Sequence, residues 1–347
     1  LPGQGAYQNP TMIEMGTERH YEGYVTDLIT DMSIDWIERR DPDRPFMLMC
    51  HHKAPHRWWV PDEKHATLFD NVTIPEPSTL FDDYSNRASA AREARLRVSH
   101  DLNARDLKAP IPKGLSSTEE TKWKYQRYIK DYLRCIASVD DNTGRLLNYL
   151  DDQGLTDNTL VVYTSDQGFF LGDHGWFDKR FMYEESLRMP FLMRYPGHIA
   201  PASVSSDMVL NVDFPCTFLD YAGIAIPGYM QGRSFRPVLE GRTPGDWRTS
   251  MYYRYWMHGE GTDNHGVHAH YGIRTHRYKL IYYYSEGCGQ PGACERESAK
   301  EWELFDLEND PCEMFSVYDD ERYSDIVSSL KAELNKLQAE VEDTSAA

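Results

Sequence analysis

No apolar run in these 347 residues reaches the ~18 that a membrane-spanning helix needs. Positive charge is also short: 37 Lys and Arg face 55 Asp and Glu, a net charge of −18. That argues against nucleic acid as a partner, because phosphate backbones select basic faces. No internal repeat is present. The chain opens LPGQGAYQNP with neither Met nor a signal-like segment, and reads as sequence from the middle of a protein, so a preceding portion is expected. Cysteine is sparse, at six. Cys50, Cys135 and Cys216 lie in apolar settings and read as buried thiols. Cys288 and Cys294 flank GQPGA, where a short disulfide and two separate thiols both stay open; a disulfide would mean an oxidising compartment. Zinc is the weaker reading there, with no second close pair or His in the loop. What remains, 40% hydrophobic and 13% aromatic residues, is the make-up of a folded chain of one or two domains.

Local patterning gives an alternation of helices and short strands. Val25, Leu28, Ile29, Met32, Trp36 and Ile37 recur at helical spacing, followed by a turn and the strand-like run Pro45 to His51. Tyr84 to Leu107, rich in Ala and Arg, reads as an exposed helix. Ser117-x-x-Glu120 reads as a capping box opening a long helix with a seam at Tyr125, Ile129, Tyr132, Ile136 and Val139, closed by Gly154. Asp140 and Asp141 on it read as a solvated face. Leu160 to Tyr163 and Phe191 to Arg194 read as strands, Met208 to Leu210 as a strand edge, and Asp213 to Ala222 as a helix. A shift in composition at Glu240 to Trp247 divides the chain into 1–245 and 246–347. Beyond it MYYRYW, HYGIRT, YKLIYYY and ELFDL suggest an antiparallel sheet, and Ile326, Leu330, Leu334 and Leu337 a helix covering it.

The chemistry concentrates after the Leu160 strand. In open α/β sheets sites collect beyond the carboxyl ends of strands. There Thr164-Ser165-Asp166-Gln167-Gly168 offers a carboxylate and an amide oxygen, hard ligands suited to Ca²⁺ or, less well, Mg²⁺. A plain turn is the alternative for that fragment. The longer string TSDQG-x-x-LG-x-HG-x-x-x-K-x-x-x-YE-x-x-x-R-x-P resembles the signature of the type I, formylglycine-dependent sulfatases of the alkaline-phosphatase superfamily. The resemblance implies that Asp166 and Gln167 hold calcium and that Lys179 contacts the sulfate. Arg188, in the same string, reads as a structural ion-pair partner.

A second block, His51-His-Lys-Ala-Pro-His-Arg-Trp-Trp-Val-Pro, resembles the family's H-x-x-PH-x-x-x-x-P, whose His after Pro touches the sulfate and protonates the leaving oxygen; that residue is His56, with His52 and Lys53 as lesser candidates. His265 and His270, in the HGVHAH segment, become substrate contacts by the same resemblance; a surface loop and a transition-metal site are the other readings. Asp306 to Glu313 resembles the family's DL-x-x-DP-x-E turn.

The implied fold is α/β, a mixed and mostly parallel sheet flanked by helices, with a smaller C-terminal antiparallel sheet packed with a helix. The implied reaction is removal of sulfate from a sulfated saccharide, N-acetylglucosamine-6-sulfate among the candidates, in a periplasmic, secreted or lysosomal setting. None of the six cysteines begins C-x-P-S-R, the family's formylglycine motif, so the nucleophile is expected from a missing N-terminal segment or a companion chain, and this chain alone is expected to be inactive. The alternatives are a phosphate or phosphonate monoester hydrolase of the same superfamily and a non-catalytic glycan-binding remnant.

Overall fold

The computed structural model describes residues 1–259, 265–295 and 298–343. In chain order its strands and α-helices are β1 (Thr11–Glu14), β2 (Thr17–His20), α1 (Val25–Arg39), α2 (Ser89–Glu93), α3 (Ala104–Leu107), α4 (Ser117–Asp152), β3 (Val161–Thr164), α5 (Glu184–Leu187), β4 (Phe191–Arg194), α6 (Asp213–Tyr221), α7 (Arg236–Leu239), β5 (Ser250–Tyr255), β6 (His270–Thr275), β7 (Tyr278–Tyr283), β8 (Glu301–Asp306) and α8 (Ser324–Glu340). They form two compact units, Leu1–Glu76 with Val98–Thr159, and Pro77–Arg97 with Leu160–Ala347. No described helix is long and apolar enough to cross a membrane.

The first unit is built on α4, which packs against α1. Its capping box is Ser116 with Glu119, one residue before the expected pair: the Glu119 N–H donates to Ser116 Oγ and the Ser116 N–H to the Glu119 carboxylate at 2.8 Å. Each of two successive serines has a Glu three residues on; Glu120, the other one, pairs with Lys124 instead. At the far end Gly154, at φ +64°, lets its own N–H reach Asp151 O and that of Leu155 reach Leu150 O, satisfying carbonyls the helix leaves open. The α1 face that is buried carries Val25, Thr26, Thr30, Ser33 and Ile37, while Trp36 stays exposed. The expected apolar stripe is thus displaced: Thr30 and Ser33 return their hydroxyls to carbonyls four residues back, and Asp27 accepts from Asn142 of α4 at 2.7 Å. Residues 11–20 make the β1–β2 hairpin.

The second unit holds two sheets. β5-β6-β7-β8 is an antiparallel meander, as the four sequence words imply, and Leu330 and Leu334 of α8 pack into its core. The other sheet has two strands, β3 and β4, and they run antiparallel, with Val161 opposite Arg194 and Thr164 opposite Phe191. The class is α/β, with the smaller C-terminal antiparallel sheet packed against a helix, and every ladder among the described residues is antiparallel. The run from Pro45 to His51 and residues 208–210 pair with no strand there. Met47 and Met49, 61% and 66% exposed, show that the 45–51 run lacks the cover its apolar character implied.

Tyr84 to Leu107 is not one exposed helix either. Its alanines Ala88, Ala90, Ala91 and Ala94 are buried in an aromatic core with Phe170, Trp176, Phe181 and Tyr183. That core also takes Ile281, Tyr283 and Phe305, so it runs across the composition shift at 240–247. Residues 246–347 stay a proposed α+β subdomain within this unit.

Candidate active site

β3 ends at Thr164, and the chain turns at once through Ser165 to Gly168. Asp166 is exposed and Gln167 half-buried. The Gln167 amide donates to Asp166 Oδ1 at 2.7 Å, which holds the two side chains together and turns the amide oxygen away from that contact. Ser165 Oγ donates to the same oxygen at 3.3 Å. Gly168 is required by crowding: a Cβ there would sit 2.1 Å from the Glu185 carbonyl and 2.9 Å from those of Ser186 and Arg188. Its N–H donates to Ser186 O at 2.8 Å. Gly168→Ala is expected to destabilise the protein by about 3 kcal/mol or more, since the clash is with backbone that cannot rotate away. Denaturant unfolding measures this; an unchanged midpoint would mean that the turn does not rest on α5.

From Gly168 the chain folds back over the aromatic core. Phe170 N–H donates to Asp178 O at 2.7 Å and Phe177 N–H to Leu96 O at 2.9 Å. Within this loop His174 is fully buried, with Nδ1 2.9 Å from an Asp82 carboxylate that also pairs with buried Arg87. Lys179 emerges half-buried at the loop's end. Burial pulls its ammonium pKa down, and the nearby Asp166 carboxylate pushes it back up. Arg188 is exposed and pairs with no carboxylate among the described residues, so its expected ion pair is not formed.

His56 belongs to the first unit, while Asp166, Gln167 and Lys179 belong to the second. Its backbone is tied on both sides: its N–H donates to Lys53 O at 2.9 Å, and its carbonyl accepts from Tyr7 Oη at 2.6 Å. The ring Nδ1 donates to Arg57 O at 2.8 Å, which fixes the tautomer and gives proton transfer to Nε2. Next to it, burial brings the Lys53 pKa down to about 8, with Nζ 4.7 Å above the Tyr7 ring. His52 is brought by burial to about 4 and sits 3.0 Å from Thr30 Oγ1, so it is a neutral packing residue at pH 7.

The substrate-contact residues separate. His265 is half-buried, its carbonyl accepting the Arg95 N–H at 2.9 Å. The preceding residues 260–264 lie outside the described residues. His270 is not a surface contact: it is the first residue of β6, fully buried, stacked on Phe181 at 5.8 Å, with Nδ1 donating to His268 O at 2.7 Å. Burial lowers its pKa to about 4. The H-x-V-x-x-H word hides this: residues 267–273 are all buried, so no alternation marks its last His as a core residue.

Among the described residues no group of three or more His, Cys, Asp or Glu side chains gathers as a metal site. Asp166 and Gln167 fit one side of a calcium shell: adjacent hard oxygens at a strand end, two of the six to eight that the ion takes. Sequence reasoning missed Ser186, which touches both the turn and Lys179, and gave Glu313 no role. The only signal for either was its place inside a family-like word.

A family model described as sulfatase matches residues 2–224, and one described as N-sulphoglucosamine sulphohydrolase, C-terminal, matches 172–340. An N-acetylglucosamine-6-O-sulfatase of Bacteroides thetaiotaomicron is 42% identical, over 98% of this chain and 66% of its own length. An N-acetylglucosamine-6-sulfatase of Bos taurus is 28% identical, over 96% of this chain and 58% of its own. The chain thus spans about three-fifths to two-thirds of these relatives. A structure solved in complex with its substrate D-glucosamine-2-N,6-O-disulfate superposes with TM-score 0.93 at 41% identity, covering all of this chain and 76% of that one.

Proposed function

The chain belongs to the sulfatase family, and from that we propose that it is the larger part of a sulfuric ester hydrolase that removes 6-O-sulfate from a glucosamine-type sugar. The observation that carries the reading is the turn at the end of β3, where a 2.7 Å hydrogen bond holds Asp166 and Gln167 side by side and Ser186 ties the next residue, Gly168, to the backbone of half-buried Lys179. The sugar is supported by the likeness to a relative named for N-acetylglucosamine 6-O-sulfate and to a protein solved with a disulfated glucosamine. An exported setting, where such glycans are met, belongs to the same proposal.

Asp166 and Gln167 would hold the metal ion, calcium by the hardness of their oxygens. When bound, calcium lowers the nucleophile's pKa and neutralises sulfate oxygens. The nucleophile, a formylglycine hydrate, is assigned to a segment outside this chain, since no cysteine here stands in C-x-P-S-R. Lys179 places a fixed positive charge against the sulfate oxygens, where a site partly shielded from water makes it count for more. It also offsets, locally, the repulsion between a net charge of −18 and an anionic ester. His56 Nε2 gives its proton to the departing sugar oxygen. His265 is kept as a sugar contact.

The test is a comparison of kcat/KM for the complete enzyme on 6-O-sulfated N-acetylglucosamine, p-nitrophenyl sulfate and p-nitrophenyl phosphate. Sulfate esters are expected to exceed the phosphate by at least roughly ten-fold, with activity lost in a calcium chelator. Equal or greater phosphate turnover would replace this reading with a phosphomonoesterase, and turnover by residues 1–347 alone would refute the separate nucleophile.

A further inference from the structure

Two features of the second unit have no part in the chemistry above: the hydroxyl of Ser186, and the buried charges beneath it that include the last residue of the DL-x-x-DP-x-E word. Ser186 lies in α5 and is 4% exposed. Its carbonyl accepts the Gly168 N–H at 2.8 Å, and its Oγ donates to the Lys179 carbonyl. One residue therefore touches the backbone directly after the two proposed metal ligands and the backbone of the sulfate-binding lysine. A helix as short as α5 makes this possible, because its carbonyls find few partners of their own kind. It also makes α5 a poor anchor unless something else fixes it.

The fixing group is Glu313. Its carboxylate accepts the Glu184 N–H at 2.6 Å, the first amide of α5, and its other oxygen accepts from Lys279 Nζ at 2.6 Å. Lys279, on β7, reaches the Glu184 carboxylate at 2.9 Å as well, and Arg274 on β6 closes on that carboxylate at 3.0 and 3.2 Å. Lys279 and Glu313 are both fully buried. Buried charges of this kind hold one geometry, because separating them leaves each without a partner in a low dielectric. The order of support runs from the four-stranded sheet through Lys279 and Glu313 to α5, and from Ser186 to the Asp166–Gln167 turn and Lys179.

We propose that Ser186 is a positioning residue for sulfate-ester hydrolysis, held by the Glu313–Lys279–Glu184 cluster and setting the Asp166–Gln167 turn and Lys179 in mutual register. This rests on the assignment of those three residues to the site. The test uses the complete enzyme with Ser186→Ala and Ser186→Thr, the second retaining the Oγ donor. Calcium affinity is measured by titrating calcium chloride calorimetrically, and amide exchange of the 165–180 segment is followed without metal. Ser186→Ala is expected to weaken calcium binding by about ten-fold, speed exchange in that segment and lower kcat, with its melting temperature near that of the wild type and Ser186→Thr near wild type in each. Unchanged calcium affinity and exchange in Ser186→Ala, beside a wild type that binds calcium, overturns the positioning role alone. A wild type that binds no calcium overturns the site assignment and the inference with it. Should Ser186→Ala not fold, Glu313→Gln, which keeps an oxygen for the Glu184 amide but removes the charge facing Lys279, is read in the same way with the same expected direction.

Discussion

Lys179→Ala in the complete enzyme is expected to lower kcat/KM on 6-O-sulfated N-acetylglucosamine by about 10²–10³-fold, the loss that follows removal of one well-placed group stabilising a developing oxyanion. The direction follows from where the side chain lies. Lys179 is half-buried, burial disfavours its charge, and Asp166, a proposed metal ligand, offsets this only in part. An ammonium in that position is partly stripped of water before any substrate arrives, so its attraction for sulfate oxygens is less diluted than at an open surface. Lys179→Arg is expected to recover little: a planar fork presents its donors in a different geometry from a compact ammonium. The fold should be indifferent, because the loop is held by backbone hydrogen bonds of Phe170, Phe177 and Gly168 and not by the Lys179 side chain. Steady-state kinetics beside a melting curve reads both. A loss below about three-fold in kcat/KM, with melting unchanged, would remove Lys179 from the sulfate site.

What the sequence made legible was local and periodic. The four words of the C-terminal sheet, the long α4 and the Leu330–Leu334 face of α8 could be read because each element is decided by its own alternation or its own 3.6-residue repeat. The turn at Asp166 and the lysine at 179 were found as a motif, and the bonds that tie both to Ser186 are its physical trace in the structure. Strand partnership was not legible. Phe46-Met-Leu-Met-Cys50 has the composition of a paired strand, yet composition does not say which strand pairs with it, and within the described residues none does, Phe46 packing instead on Trp36 of α1. That β3 pairs with β4, and antiparallel, was not legible for the same reason: pairing is a long-range property, and neither strand's residues encode it. The burial of His270 was not legible because the strand is covered on both faces at that end, so the imidazole is enclosed by Phe181 and Tyr283 with no alternation to announce it. Glu313 and Ser186 could not be given roles because the partners of Glu313, Lys279 and Glu184, lie 34 and 129 residues away, and Ser186 acts through backbone.

His56→Ala separates its proposed role from general binding through the leaving group. A sugar hydroxyl leaves badly as an alkoxide and needs a proton in the transition state, whereas p-nitrophenolate leaves readily without one. The variant is therefore expected to lose about 10²–10⁴-fold in kcat on the sugar sulfate and less than about ten-fold on p-nitrophenyl sulfate. The structure supports proton donation by Nε2 specifically: Nδ1 is committed to Arg57 O at 2.8 Å, and the His56 backbone is pinned by Lys53 O on one side and Tyr7 Oη on the other. A ring so held cannot exchange its two nitrogens without breaking that bond. Equal losses on both substrates would mean that His56 binds sulfate without protonating the leaving oxygen. No loss on either would move the acid to another group, and Lys53, whose pKa burial brings down to about 8 in the same segment, would then be the residue to replace next.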